Sequence, residues 1–119
     1  MAGTVVTTEQ TFGSVKLVKF AWTSSAGGAA DATTSGVFDG EVILLATDPG
    51  ATAPTTLYDV AVNDANSIDV LAGGGADRSA TVNEYVQGSS LGAVATSALT
   101  LAVTNAGNAK VGTAYVYIR

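Results

Sequence analysis

The sequence contains no cysteine and no histidine. The first absence rules out disulfides and thiolate metal sites. The second removes the commonest general base and a common zinc ligand. Charge is scarce as well: only 13% of the residues are Asp, Glu, Lys or Arg. Glu and Lys, the charged helix formers, occur three times each, too few to coat the polar faces of several amphipathic helices. No apolar run approaches the roughly 18 residues that would mark a membrane-spanning helix. The opening MAGTVVTTEQ has neither a basic start nor a following apolar stretch, so synthesis without a secretion signal is expected.

What the chain does have favours strands. Its 119 residues fit one domain large enough for a core. Leu, Ile, Val and Phe make up 29 of them, about a quarter, which argues against disorder. Val (15) and Thr (16) are abundant, and β-branched side chains suit a pleated surface better than a helix. Charge is unevenly placed. Between Lys19 and Arg78 stand eight acids (Asp31, Asp39, Glu41, Asp48, Asp59, Asp64, Asp69, Asp77) and no base. Such a stretch repels phosphate, so nucleic acid is not an expected partner.

Alternation picks out the strands. Tyr58, Val60 and Val62 alternate with Asp59, Ala61 and Asn63, the period of a half-buried strand. Turn residues Asn63 to Asn66 follow, and Ile68 to Leu71 resumes the apolar run, which predicts a central hairpin. Val18, Phe20 and Trp22 share one face of Val15–Thr23, with Lys16 at that face's rim and Trp22 a core anchor. Asp39-Gly40 between apolar residues predicts a two-residue type I′ turn. The following Glu41-Val42-Ile43-Leu44-Leu45-Ala46 would place Val42 and Leu44 on one face, Ile43 and Leu45 on the other. Thr81 to Glu84 fits a capping box, predicting a helical turn over 82–86. Leu99, Leu101 and Val103 alternate, Asn105 to Asn108 turns, and Val116 and Ile118 oppose Tyr115 and Tyr117, a second hairpin. The expectation is an all-β single domain: an antiparallel β-sandwich or small barrel, jelly-roll-like, of seven or eight short strands. Residues 1–13 form an N-terminal extended arm and 14–119 the β domain.

Sites of chemistry do not emerge. The Gly73-Gly74-Gly75 run lacks the spacing and the Lys of a phosphate loop. Asp59 and Asp69 could flank a glycosidic bond, but nothing fixes their separation. Asp59, Asp64, Asn66 and Asp69 offer hard oxygens for calcium. Counted from Asp64, however, Ile68 takes a ligand position and Asp69 the position that an EF-hand reserves for glycine. Asx-turn hydrogen bonding is the simpler use of these side chains. No catalytic residue, metal or cofactor is expected, and the chain reads as a non-enzyme.

Three stretches carry a family resemblance. They are Gly3–Ser24 (GTVVTTEQTFGSVKLVKFAWTS), Thr56–Asp77 (TLYDVAVNDANSIDVLAGGGAD) and Leu91–Arg119, with Asn105-Ala106-Gly107-Asn108-Ala109-Lys110 before a Tyr-rich final strand. The sequence resembles small virion proteins encoded in the structural-gene clusters of tailed bacteriophages, which look like capsid decoration or cement proteins. The resemblance implies a structural protein on the outer surface of the phage head, with the major capsid protein and copies of itself as partners, a trimer favoured. It would be made in the host cytoplasm, with no part for nucleic acid or membrane. Position and amphipathic character nominate Val5 and Phe12 of the arm, Lys16, Lys19, Tyr115 and Tyr117 as contacts. A tail or head–tail junction component is the alternative within the virion. From another class, a carbohydrate-binding β-sandwich module would use Trp22 and tyrosines as stacking platforms.

Overall fold

Alternating β-branched and polar residues become strands through most of the computed structural model, which describes residues 3–119. Strand β1 (Thr4–Phe12) returns through Gly13 and Ser14 into β2 (Val15–Thr23). Gly13 takes the left-handed conformation, φ 64°, which costs glycine nothing sterically. Next come β3 (Ala30–Thr33) and the long β4 (Phe38–Pro49). The chain continues through β5 (Asp59–Asn63), β6 (Glu84–Gln87), a single 3-10 turn over Gly88–Ser90, and β7 (Ala93–Ser97). It ends with β8 (Thr100–Thr104) and β9 (Val111–Ile118). All the pairings between strands are antiparallel.

The larger sheet runs β1-β2-β9-β4-β6, with β7 paired to the start of β4, and the smaller runs β3-β8-β5. Their facing sides supply the core. Val18, Phe20, Trp22, Val42, Leu45, Val116 and Ile118 come from one, and Val60, Val62, Leu101 and Val103 from the other, all buried. Each such side chain contributes about 1.5–3 kcal/mol relative to exposure. The fold is therefore the expected all-β, antiparallel sandwich, built from nine strands rather than seven or eight. Trp22 is the anchor its pattern predicts, with its ring centroid 5.5 Å from that of Tyr58.

Several local expectations are corrected. Asp39-Gly40 is not a turn; β4 runs straight through it. Gly40 (φ 129°) serves a β-bulge against β7, where a Cβ would run into the Arg119 carbonyl. A second bulge between Val42 and Leu44 shifts the phase of the strand. Val42 and Leu45 therefore both point inward, while Leu44 goes outward with Ala46.

The central hairpin has only one strand. β5 lies at the edge of the smaller sheet, and residues 69–78 fold along it as turns. They are held by Val60 N donating to Gly75 O and Val70 N to Val62 O, both 2.8 Å. The segment predicted to be helical is β6, and Glu84 accepts from Ser79 N and pairs with Arg78 instead of capping a helix. Finally, β8 and β9 are not a hairpin, because they belong to different sheets. The Asn105–Lys110 link crosses between the layers, with Ala106 buried. Ser24 Oγ ties the link down, donating to Gly107 O and accepting from Lys110 N.

The segment expected as an extended arm is the edge strand β1. It pairs with β2 over nine residues, and Val5 packs against the core. Residues 1–2 of that expectation lie outside the described residues, as does the Phe12 side chain.

Candidate interaction face

Strand register sorts the outward side of the larger sheet into rows. One row reads Thr8, Lys19, Tyr115, Ala46, Tyr85 across β1, β2, β9, β4 and β6. The next reads Gln10, Leu17, Tyr117, Leu44, Gln87, and a third begins Val6, Ala21, Thr113, Asp48. Each of these residues alternates with a core residue, so the burial of Val18, Phe20, Val116 and Leu45 forces the set outward. Among the described large hydrophobic residues, Val6 and Tyr85 are the most exposed, at 69% and 63%.

Two depressions mark this face. At the β1–β2 margin, a groove of about 520 Å³ is lined by Gln10, Thr11, Val15, Leu17 and Tyr117. At the β4–β6 margin, a cleft of about 240 Å³ is lined by Ala46, Thr47, Asp48, Asn83, Tyr85, Tyr115 and Tyr117. Tyr117 borders both. The Lys19 ammonium sits 5.7 Å from the centroid of the Tyr115 ring, a cation–π distance that holds the charge on the face.

Of the nominated contacts, the structure brings together Lys19, Tyr115 and Tyr117. It separates Val5, which points inward beside Trp22, and Lys16, whose Nζ donates to the Asp39 carbonyl at 2.6 Å. Trp22 is 1% exposed and offers no platform to a ligand. Sequence reasoning missed Leu17, Ala46, Asp48, Asn83 and Tyr85. The alternation of Tyr85 and Gln87 against Glu84 and Val86 was the available signal for Tyr85.

The aspartates serve the backbone. Asp69 Oδ1 accepts from Val62 N and Leu71 N, and Oδ2 from Gly73 N. Asp64 Oδ1 accepts from Asn66 N and Ile68 N, an Asx turn. Asp59 accepts from Asp77 N and Asn105 Nδ2. Among the described residues no three acidic side chains gather as a metal site. Inside the core, Tyr58 OH, Thr47 Oγ1 and Trp22 Nε1 are buried without hydrogen-bond partners among the described residues. Burial pushes the Tyr58 hydroxyl's pKa above its ordinary value; the Thr47 hydroxyl beside it acts the other way.

No family model and no curated protein matches the sequence. Among solved structures, a low-affinity xylan-binding module from the xylanolytic gut symbiont Roseburia intestinalis aligns with 99% of this chain and 87% of its own, at 11% identity and a TM-score of 0.43. Infectious bursal disease virus, Gx strain, aligns with 98% of this chain and 32% of its own, at 11% identity and a TM-score of 0.34. At those distances neither likeness says what this chain binds.

Proposed function

We propose that this chain is a non-enzymatic virion structural protein that decorates the head of a tailed bacteriophage and stabilises it. The bacteriophage setting rests on the three resembling stretches of sequence. The observation that carries the reading is the outward face of the larger sheet. Leu17, Lys19 and Tyr117 stand there beside β1, a nine-residue strand at the sheet's edge that adds the exposed Val6. Open edges invite pairing or coverage by another chain.

Charge gives the domain an orientation. Asp31, Asp59, Asp64, Asp69 and Asp77 all belong to the smaller sheet and the turns along β5. Lys19 lies on the opposite side of the sandwich. The larger sheet then meets the capsid and the acidic side faces outward, keeping particles apart. One lysine contributes mainly to encounter rate, so affinity comes from apolar and backbone contacts.

Area argues for several copies. The β1-β2-β9 patch measures about 30 Å by about 15 Å, roughly half of the ~800 Å² that one side of a stable interface buries. A homotrimer at a local three-fold position multiplies that footprint and converts weak contacts into avid ones. A protein that binds only the expanded head stabilises that state by mass action.

The test adds purified protein to expanded heads that lack it. Saturable binding with a raised disruption temperature is the expected result. A protein that ignores heads and copurifies with tails belongs to the tail or head–tail junction instead.

A further inference from the structure

Two tyrosines face each other across a single alanine at the β4–β6 margin. Tyr115 on β9 and Tyr85 on β6 are both register partners of Ala46, on the strand between them. All three therefore leave the same side of the sheet. Two strand spacings, about 9.6 Å, separate the tyrosine backbones. Ala46 is a low floor, so the row forms a slot with two aromatic walls. A flat ring centred in it meets each wall at about 4–5 Å, the range of apolar contact.

The rim is polar. Asp48, two residues past Ala46 on β4, and Asn83, just before β6, line the same cleft of about 240 Å³. Asn83 is exposed and Asp48 half-buried. A carboxylate accepts hydrogen bonds and an amide both donates and accepts. Aromatic walls beside hydrogen-bonding groups suit a ligand that is itself amphipathic, with one face to stack and an edge to hydrogen-bond. The volume lies below the ~300 Å³ at which drug-sized pockets begin, which suits one ring.

We propose that the slot between Tyr85 and Tyr115 is a binding subsite for one neutral pyranose ring of a surface glycan. A pyranose presents C–H faces to the tyrosines and hydroxyls around its edge to Asp48 and Asn83. Phosphorylated or acidic rings meet Asp48 and a chain of net charge −5, which repels them. Among the described residues Asp48 is the one carboxylate lining the cleft, whereas glycoside hydrolysis uses a pair. The site therefore binds without cleaving. The two sites meet at β9, where Tyr117 borders both. Tyr85, Asp48 and Asn83 lie outside the β1-β2-β9 patch, so substitutions at those three test glycan binding without touching the proposed head contact.

Isotope-labelled protein titrated with cellohexaose and with mannohexaose, and with polygalacturonate as the acidic counterpart, tests the site by amide shift mapping. At least one neutral hexasaccharide should bind in the millimolar range and move the amides of Ala46–Asp48, Asn83–Gln87 and Tyr115–Tyr117. Tyr85→Ala should weaken that binding about tenfold, or about 1.4 kcal/mol, at an unchanged melting temperature. Tyr85→Phe, which keeps the ring, should bind like the parent. Asp48→Asn should weaken binding without touching either wall, and it serves if the alanine variant does not fold. No shifts from either neutral sugar at about 10 mM, weaker than any millimolar site, overturns the proposal. So do binding by polygalacturonate alone, or a folded Tyr85→Ala that binds like the parent.

Discussion

Trp22 and Gly112 are direct partners across β2 and β9, and the indole occupies the space that a side chain at Gly112 would need. A Cβ there would run into the six-membered ring of a residue that is itself 1% exposed. The only tryptophan thus sets its neighbour's identity. Gly112→Ala should destabilise by about 1–3 kcal/mol, the cost of overpacking a filled core. A urea midpoint lowered at constant m-value is the expected signature; an unchanged midpoint would mean that the indole moves aside freely.

Alkaline pH should act through Tyr58. Its hydroxyl is buried without a partner among the described residues, and burial raises its pKa above the ordinary 10.0. The folded state therefore holds the proton more tightly than the unfolded chain. This contribution is fully present below about pH 10 and is lost as pH rises from there through the folded value. Melting temperature should fall above pH 10, and Tyr58→Phe should flatten that fall. At pH 7 the phenylalanine variant should be neutral or slightly more stable, because an unmet buried hydroxyl costs about 1–3 kcal/mol. A loss above about 2 kcal/mol at pH 7 would instead reveal a hydrogen bond there.

Asp69 holds three backbone amides at once, those of Val62, Leu71 and Gly73. Asp69→Ala should cost about 2–3 kcal/mol, because hydrogen bonds to a charged acceptor are the stronger kind and three donors lose it together. Amide exchange should rise first along residues 69–76. Since these oxygens are already engaged, calcium has little to recruit. Melts with EDTA and with added calcium should agree within about 2 °C; a rise of about 10 °C would show a metal site among the aspartates.

Where the pattern of side chains reports a strand directly, the sequence was legible. Val18, Phe20 and Trp22, Val60 and Val62, Leu101 and Val103, and Val116 and Ile118 are each buried on the side their alternation implies. What escaped depends on partners distant in sequence. Asp39-Gly40 has the chemistry of a hairpin turn, but its bulge exists only because β7 and Arg119 lie alongside. The bulge near Ile43 then reassigns Leu44 and Leu45 to opposite faces from those a strict period gives. The turn after Thr104 looks like a hairpin because local residues say only that the chain reverses, not which sheet it enters. The tyrosine slot was illegible for the same reason. Its walls are 30 residues apart, and its first tyrosine sat in a segment whose capping-box residues suggest a helix.

Head binding should separate the two lysines of β2. Lys19 lies on the outward face over Tyr115, whereas Lys16 sits on the core side of the strand, held by the Asp39 carbonyl. If the larger sheet meets the capsid, Lys19→Glu should slow association several-fold and reduce its dependence on salt. Lys16→Glu should leave the rate nearly unchanged. Leu17 stands between Gln10 and Tyr117 in the groove at the β1–β2 margin, so Leu17→Asp places a charge in the middle of the proposed contact. It should raise the dissociation rate at least about tenfold, close to 1.4 kcal/mol, while circular dichroism and melting stay near those of the parent. Point substitutions are the right probe here, because removing β1 strips nine paired residues from β2 and unpacks Val5 from the core. If Lys16→Glu slows binding as much as Lys19→Glu, or Leu17→Asp dissociates at the parental rate, the capsid contact lies on another surface of the sandwich.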